Sequence, residues 1–306
     1  MIKVVNEIKE ANCITHSGNM HADDVFATAF LELYLEDINL HRTIKINEEE
    51  LHENAIVYDI GRKKFDHHQE DAKKRENGII YSSFGLLWQE FGRKFLEKRN
   101  VENIEEVFQG IDKDFVEMID AIDNGIFPKI EAIYKVKTIS DMIKLFNPSY
   151  GSNQNENEQF LKAEKIAKQI LEEEILNIVG KVKANKKLEK IIELNQDKNY
   201  LLLDEFLPYE ESILNNEKAN NLYFAIFPSN RGGYTIKTIS KSQEDRNYRM
   251  EIPIEWAGLI DEELEKVSGI KGLTFCHNNR FVLSCQSKEI AIYTVEQIIK
   301  NSQNID

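Results

Sequence analysis

The chain predicts an α/β fold: a parallel-sheet domain first, then a smaller α+β domain. Three observations carry this. Strand-length apolar segments alternate with helical spacing over the first third. Beyond Asn199 the pattern changes to short strands with hairpin turns between them. A polar stretch and a long Glu/Lys-rich helix separate the two patterns. With 306 residues, the chain is long enough for two domains, each with its own core. The expected division is 1–195 and 196–306.

Ala11–His16 reads as a buried strand ending on a histidine. Ser17-Gly-Asn19 is turn chemistry. From Asp23, apolar residues at 25, 26, 29, 30 and 33 give an amphipathic helix with acids in its first turn. Thr43–Ile46 and Ala55–Ile60 are further strand candidates. In such sheets, sites form at the carboxyl ends of strands, which is where His16 and Asp59 stand. Ser82 or Ser83 caps a helix running to about Lys98, with Trp88 and Phe91 as core. The next helix starts near Ile104 and stops at Asn124-Gly125. Glu158 to about Val179 is the long helix, ended or bent at Gly180, and reads as solvated or as a face between copies in a homo-oligomer. In the second domain, strands are expected at 200–203, 222–227, 234–239, 273–276 and 281–285, with helices at 261–267 and 288–300.

Hydrophobic residues make up 42% and charged residues 30%, the balance of a soluble globular chain. No apolar run reaches membrane-spanning length, and the N-terminal residues lack a signal-peptide core. Three cysteines without Cys-x-x-Cys spacing point to reduced thiols and a cytoplasmic location. The net charge of −14 disfavours wrapping a nucleic-acid duplex, whose affinity comes from neutralised phosphates. A cation-filled cleft inverts that field locally, so small phosphorylated ligands and strand ends stay admissible.

Four of the seven histidines fall in two short stretches, His16-Ser-Gly-Asn-Met-His21-Ala-Asp23-Asp24 and Asp66-His67-His68. Imidazole with carboxylate suits Mn²⁺, Fe²⁺, Zn²⁺ and Co²⁺. Adjacent histidines in an extended segment point opposite ways, so one is expected on metal and the other on substrate or a proton. Asp24 reads as a helix N-terminal charge, and His41 and His52 as solvated. In the second domain Arg231, His277 and Arg280 sit at turns and are candidates to hold a substrate phosphate or 3′ end.

The order His16 … His21-x-Asp23, Asp59, Asp66-His67-His68, Asp123-Asn-Gly-Ile-Phe127 resembles the four motifs of the DHH phosphoesterase superfamily. It is closest to the melanocyte-proliferating-gene family of metal-dependent hydrolases, whose eukaryotic members are described as 3′→5′ RNA exonucleases. The Asn147-Pro148 segment and the stretch from Trp256 to His277 carry the resemblance through nearly the whole chain. It implies a DHH-type catalytic domain with two divalent ions, Mn²⁺ first. One ion would take His16, His21 and Asp59. The other would take Asp23, Asp59, His67 and Asp123, with Asp120 as the alternative one turn earlier. His68 would face substrate and Asp66 would orient a histidine. His21 departs from the superfamily pattern, in which a carboxylate is usual there. The implied activity is phosphodiester hydrolysis on short single-stranded RNA or a dinucleotide, without a duplex or membrane. The alternatives are a pyrophosphatase or small phosphomonoesterase, and a non-catalytic metal-binding regulator.

Overall fold

A computed structural model describes residues 1–195, 197–242 and 247–303. It divides into two units, Met1–Val182 and Lys183–Asp306.

The first unit is built on a parallel four-stranded sheet, β1 (Ile2–Val4), β2 (Cys13–His16), β3 (Ile38–Thr43) and β4 (Ile56–Val57), in the order β1-β3-β2-β4. Parallel strands need a crossover, and α1 (Ala22–Leu35) supplies it between β2 and β3. Cys13, Ile14 and Thr15 are all buried, the near-continuous burial of an interior parallel strand. The strand expected at 43–46 lies earlier, at Ile38–Thr43. There Ile38, Leu40 and Arg42 alternate inward and the register to β2 pairs Leu40 with Cys13. Residues 22–31 of α1 are buried all round, so the helix is a core element and not a surface one.

Helices α2 (Ser83–Lys98) and α4 (Glu117–Asp123) pack on α1, and α3 (Ile104–Ile111) packs on α2, around an aromatic cluster. Trp88 stacks on Phe108 at 5.4 Å, and Phe30 meets Trp88 edge-on at 5.3 Å. Phe91 is only partly buried against this core. A π-turn, Asp112–Val116, joins α3 to α4 within the span expected as one helix. Such turns concentrate at functional sites. Short α5 (Ile139–Lys144) precedes α6 (Glu156–Leu194), which is 39 residues long.

Gly180 does not end α6. A mid-helix glycine costs only about 1 kcal/mol relative to alanine, and buried residues on both sides of it, Ile178 and Leu188, hold the helix to core. The two units therefore divide inside this helix, before the expected 195/196 boundary, whose second residue lies outside the described ones.

Where α6 crosses α1, Glu164 is 2% exposed and its Oε1 makes no hydrogen bond. Glu32 beside it pairs with Lys168 at 3.0 Å. Burial, then the Glu32 charge, pushes the Glu164 carboxyl up to about 8. An unfolded glutamate releases its proton near 4.5, so between these values the native chain binds more protons and stability falls as pH rises. The melting temperature is expected to drop between about pH 5 and pH 8.5 in the native sequence and to stay flatter in Glu164→Gln. Parallel curves would refute this.

The second unit carries a mixed five-stranded sheet of β5 (Tyr200–Leu202), β6 (Phe224–Pro228), β7 (Tyr234–Thr238), β8 (Leu273–Cys276) and β9 (Val282–Cys285), in the order β5-β6-β7-β9-β8. Only β5–β6 is parallel. Helices α7 (Glu210–Leu214), α8 (Asp261–Ser268) and α9 (Lys288–Gln303) complete it. Among the described residues, no helix is long and apolar enough to cross a membrane.

Candidate metal centre

Pairing of β2 with β4 aligns Cys13 with Ile56 and Ile14 with Val57, and continuing that register sets His16 beside Asp59. His16 Nε2 lies 3.1 Å from Asp59 Oδ2 and 3.2 Å from Asp24 Oδ2. Asp59 has φ +55°, a left-handed conformation that aspartate tolerates better than most residues. Its N–H donates to the Phe65 carbonyl at 3.0 Å, so the chain turns back and delivers Asp66-His67-His68 beside it.

His67 and His68 do not point apart. Their rings lie 4.2 Å from centroid to centroid, and each Nδ1 is 3.7 Å from Asp59 Oδ1. The segment is outside any strand, so no pleat separates the side chains. Asp66 Oδ1 instead accepts from the His68 backbone N–H at 3.0 Å and meets its Nδ1 at 2.8 Å. That pair turns the second ring to the same side and leaves His68 62% exposed. Asp66 Oδ2 accepts from the Arg62 N–H. Against its burial, the His68 bonds hold the Asp66 carboxyl down at about 2. His68 rises in turn, chiefly through Asp66.

His67 Nε2 is 2.9 Å from Asp123 Oδ2 at the end of α4. His21, the N-cap of α1, is exposed, and its Nδ1 is 3.7 Å from Asp123 Oδ1. Asp23 and Asp24 enter from the first turn of α1. The Ser83 hydroxyl donates to Asp23 Oδ2 at 2.6 Å, and the His21 N–H donates to Asp24 Oδ1 at 2.8 Å. In each of three sets the donor atoms lie within 4.8 Å of one another: His16/Asp24/Asp59, His21/Asp23/Asp123 and Asp59/Asp66/His67/His68. His21 thus groups with Asp23 and Asp123, not with His16. Asp24 joins the cluster although it reads as a plain helix charge in the sequence.

These residues fit divalent cations on their own chemistry. Asp23 Oδ1, Asp24 Oδ2, Asp59 Oδ1 and His67 Nδ1 are buried without a hydrogen bond, a costly arrangement for polar atoms unless an ion engages them. Burial and the facing carboxylates of Asp59 and Asp123 push Asp23 up. Burial, with Asp24 opposite, does the same to Asp59 despite His16. Burial works against Asp123 too, but His67 holds it below its ordinary value. Burial disfavours charge on His16, yet Asp24 and Asp59 raise it to about 11. Protons and metal ions would compete for these atoms.

Asp120 is placed elsewhere. Its carboxylate accepts from Arg75 Nη2 at 2.7 Å, from the Ser82 hydroxyl at 2.6 Å and from the Ser82 N–H at 3.1 Å. Ser82 therefore spends its hydroxyl on Asp120 and does not cap α2 with it. Arg75 also binds Asp112 in the π-turn through Nη1 at 2.5 Å and Nη2 at 3.0 Å. Gly85 faces the same carboxylate, and a Cβ there would stand 2.3 Å from Asp120 Oδ2. The network fixes α2 against α4 and so aims Ser83 and Asp123 at the cluster. Arg75→Met is expected to cost about 3–5 kcal/mol in urea unfolding, because it strands two buried carboxylates. A shift below 1 kcal/mol would show the pairs to be idle.

Other groups position the backbone around the cluster. Arg42 donates to the His16 and Gly18 carbonyls, each at 3.2 Å, and lies 4.2 Å over the Phe160 ring. Asn147, in the Asn-Pro segment, accepts from the Met20 N–H at 2.8 Å and donates to its carbonyl at 3.0 Å. In the second unit, Arg280 is engaged by Glu251 at 2.7 Å and the Ile252 carbonyl at 3.1 Å. His277 Nδ1 accepts from the Asn279 N–H and its ring packs on Phe281. Arg231 stands exposed on the β6–β7 turn.

The MYG1 exonuclease family, described as an uncharacterised protein family (UPF0160), matches residues 12–299. A MYG1 protein of Dictyostelium discoideum is 26% identical, covering 92% of this chain and 96% of its own. A Schizosaccharomyces pombe MYG1 protein is 25% identical over 95% and 98%. Homo sapiens MYG1 exonuclease is 27% identical over 91% and 83%. No solved structure matches at a significant level.

Proposed function

Since this chain belongs to the MYG1 exonuclease family, we propose that its Asp/His cluster is the active centre of a metal-dependent phosphodiesterase, a 3′→5′ exonuclease on short single-stranded RNA. The observation that carries the reading is the convergence of five carboxylates and four imidazoles, with buried oxygens left without hydrogen bonds.

His16, Asp24 and Asp59 would hold one divalent ion; His21, Asp23, Asp123 and His67 would hold a second, with Asp59 between them. Mn²⁺ suits this mixed imidazole–carboxylate set. Bound there, two such ions supply charge neutralisation at a phosphate and an acidified water. The chain's own groups do the rest. Asp66 fixes the His68 tautomer, so that with Nδ1 engaged, Nε2 is the atom offered to a phosphate oxygen or leaving group. Ser83 and Arg42 hold the Asp23 and His16 segments in place. Arg231, His277 and Arg280 are proposed to contact substrate phosphate. Three buried free cysteines fit a reducing, cytoplasmic setting.

Turnover of a 5′-labelled single-stranded RNA, a dinucleotide and pyrophosphate should be compared with Mn²⁺ present. Shortening of the RNA from its 3′ end is expected. Hydrolysis of pyrophosphate alone, or of nothing, would refute the proposal.

A further inference from the structure

Beyond α4 the chain makes an excursion whose two ends are both tied to the metal centre. At the start, α4 closes with Asp123, Gly125 turns at φ +76°, and the Ile126 N–H donates to the Ala121 carbonyl at 2.8 Å. At the far end, after α5, Asn147 clamps both backbone groups of Met20, next to His21. His21 and Asp123 are 3.7 Å apart, so the excursion leaves and returns at one edge of the cluster.

Between these anchors residues 127–137 are exposed throughout and make no backbone–backbone hydrogen bond among the described residues. Phe127 is 65% exposed and Tyr134 74%. Lys129, Lys135 and Lys137 stand among them, and among the described residues none lies within ion-pair distance of a carboxylate. Three lysines against Glu131 alone give this stretch a charge of +2 in a chain of −14. Large exposed apolar groups next to an active centre mark a binding surface. Alternation with unpaired lysines selects the occupant: aromatic rings stack unpaired bases while ammonium groups meet phosphates. An apolar protein partner would have no use for the lysines.

We infer that residues 126–137 form a strap that binds single-stranded nucleic acid at the metal centre. Phe127 and Tyr134 stack bases, and the three lysines contact phosphates. The inference rests on the phosphodiesterase reading for its ligand class. The strap's missing backbone pairing leaves it free to adapt to the strand.

The test is fluorescence anisotropy with a labelled oligouridylate carrying phosphorothioate linkages, titrated over a range of salt. Phe127→Ala/Tyr134→Ala is expected to bind about 10-fold more weakly or worse. Exchanging the three lysines for glutamine should lower the slope of log affinity against log salt by about 2, at ~0.7 per phosphate contact. Metal content and melting temperature report that the variants fold. Native affinity and slope in the variants overturn the inference, as does absence of binding by the parent chain. Loss of self-association in the aromatic variant with unchanged oligonucleotide affinity also overturns it and assigns the face to a second copy. Oligonucleotide binding without hydrolysis of the natural linkage would sink the exonuclease reading and leave the strap standing.

Discussion

Asp59→Asn is expected to strip the protein of divalent metal and to abolish hydrolysis with it. Asp59 is 4% exposed, faces His16 on one side and both His67 and His68 on the other, and alone belongs to two of the three donor sets. Two cations close together need a shared anionic group to offset their repulsion, and an amide carries no charge to do this. Loss of an outer partner alone costs about 10–100-fold in metal affinity; loss of this carboxylate should exceed that. A ligand present at 100 times its Kd stabilises by about 2.7 kcal/mol. The metal-dependent rise in melting temperature should therefore vanish in the variant, read by thermal unfolding with and without Mn²⁺ and by metal content after dialysis. Retention of metal at the parent level would remove the proposed centre.

His68→Ala is expected to do the opposite: activity falls by about 10²–10⁴-fold while metal content stays nearly constant. The side chain is 62% exposed and its Nδ1 is taken by Asp66, so it is aimed by the fold without being enclosed by the donor sets on every side. Asp66→Asn should give a smaller loss of the same kind, since the ring keeps its place but loses its partner. Single-turnover hydrolysis of labelled RNA with metal analysis on the same preparation separates the two effects. A variant that loses metal along with activity would make His68 a ligand. A parent protein with no activity to lose would make the chain a metal-binding regulator.

Much of the architecture could be read from the residues because its determinants are local. The run Ala11–His16, the acidic first turn of α1 and the Asn124-Gly125 stop each act within a few residues. The strand lies at 38–43 and not at the expected 43–46 because its burial depends on two neighbours, β1 and β2, contributed by distant segments. Helix α6 runs on through Gly180, where tertiary anchoring on both sides outweighs one unfavourable residue. Asp120 and Asp123 are three apart on one helix and alike in composition, so their separate duties cannot be told from spacing. Arg75, 45 residues away, makes the distinction.

By itself the sequence determined the fold class and the chemistry on offer: clustered imidazoles and carboxylates at predicted strand and helix ends, in an acidic chain. Only the tertiary structure decided which carboxylate meets which imidazole. It brought Asp24 to His16, moved His21 to Asp123, turned His67 and His68 to one side and committed Asp120 to Arg75. The physical reason is that side-chain direction follows backbone conformation. Parallel pairing of β2 with β4, a left-handed Asp59 and a buried salt-bridge network orient these groups, and each depends on contacts between residues distant in the chain.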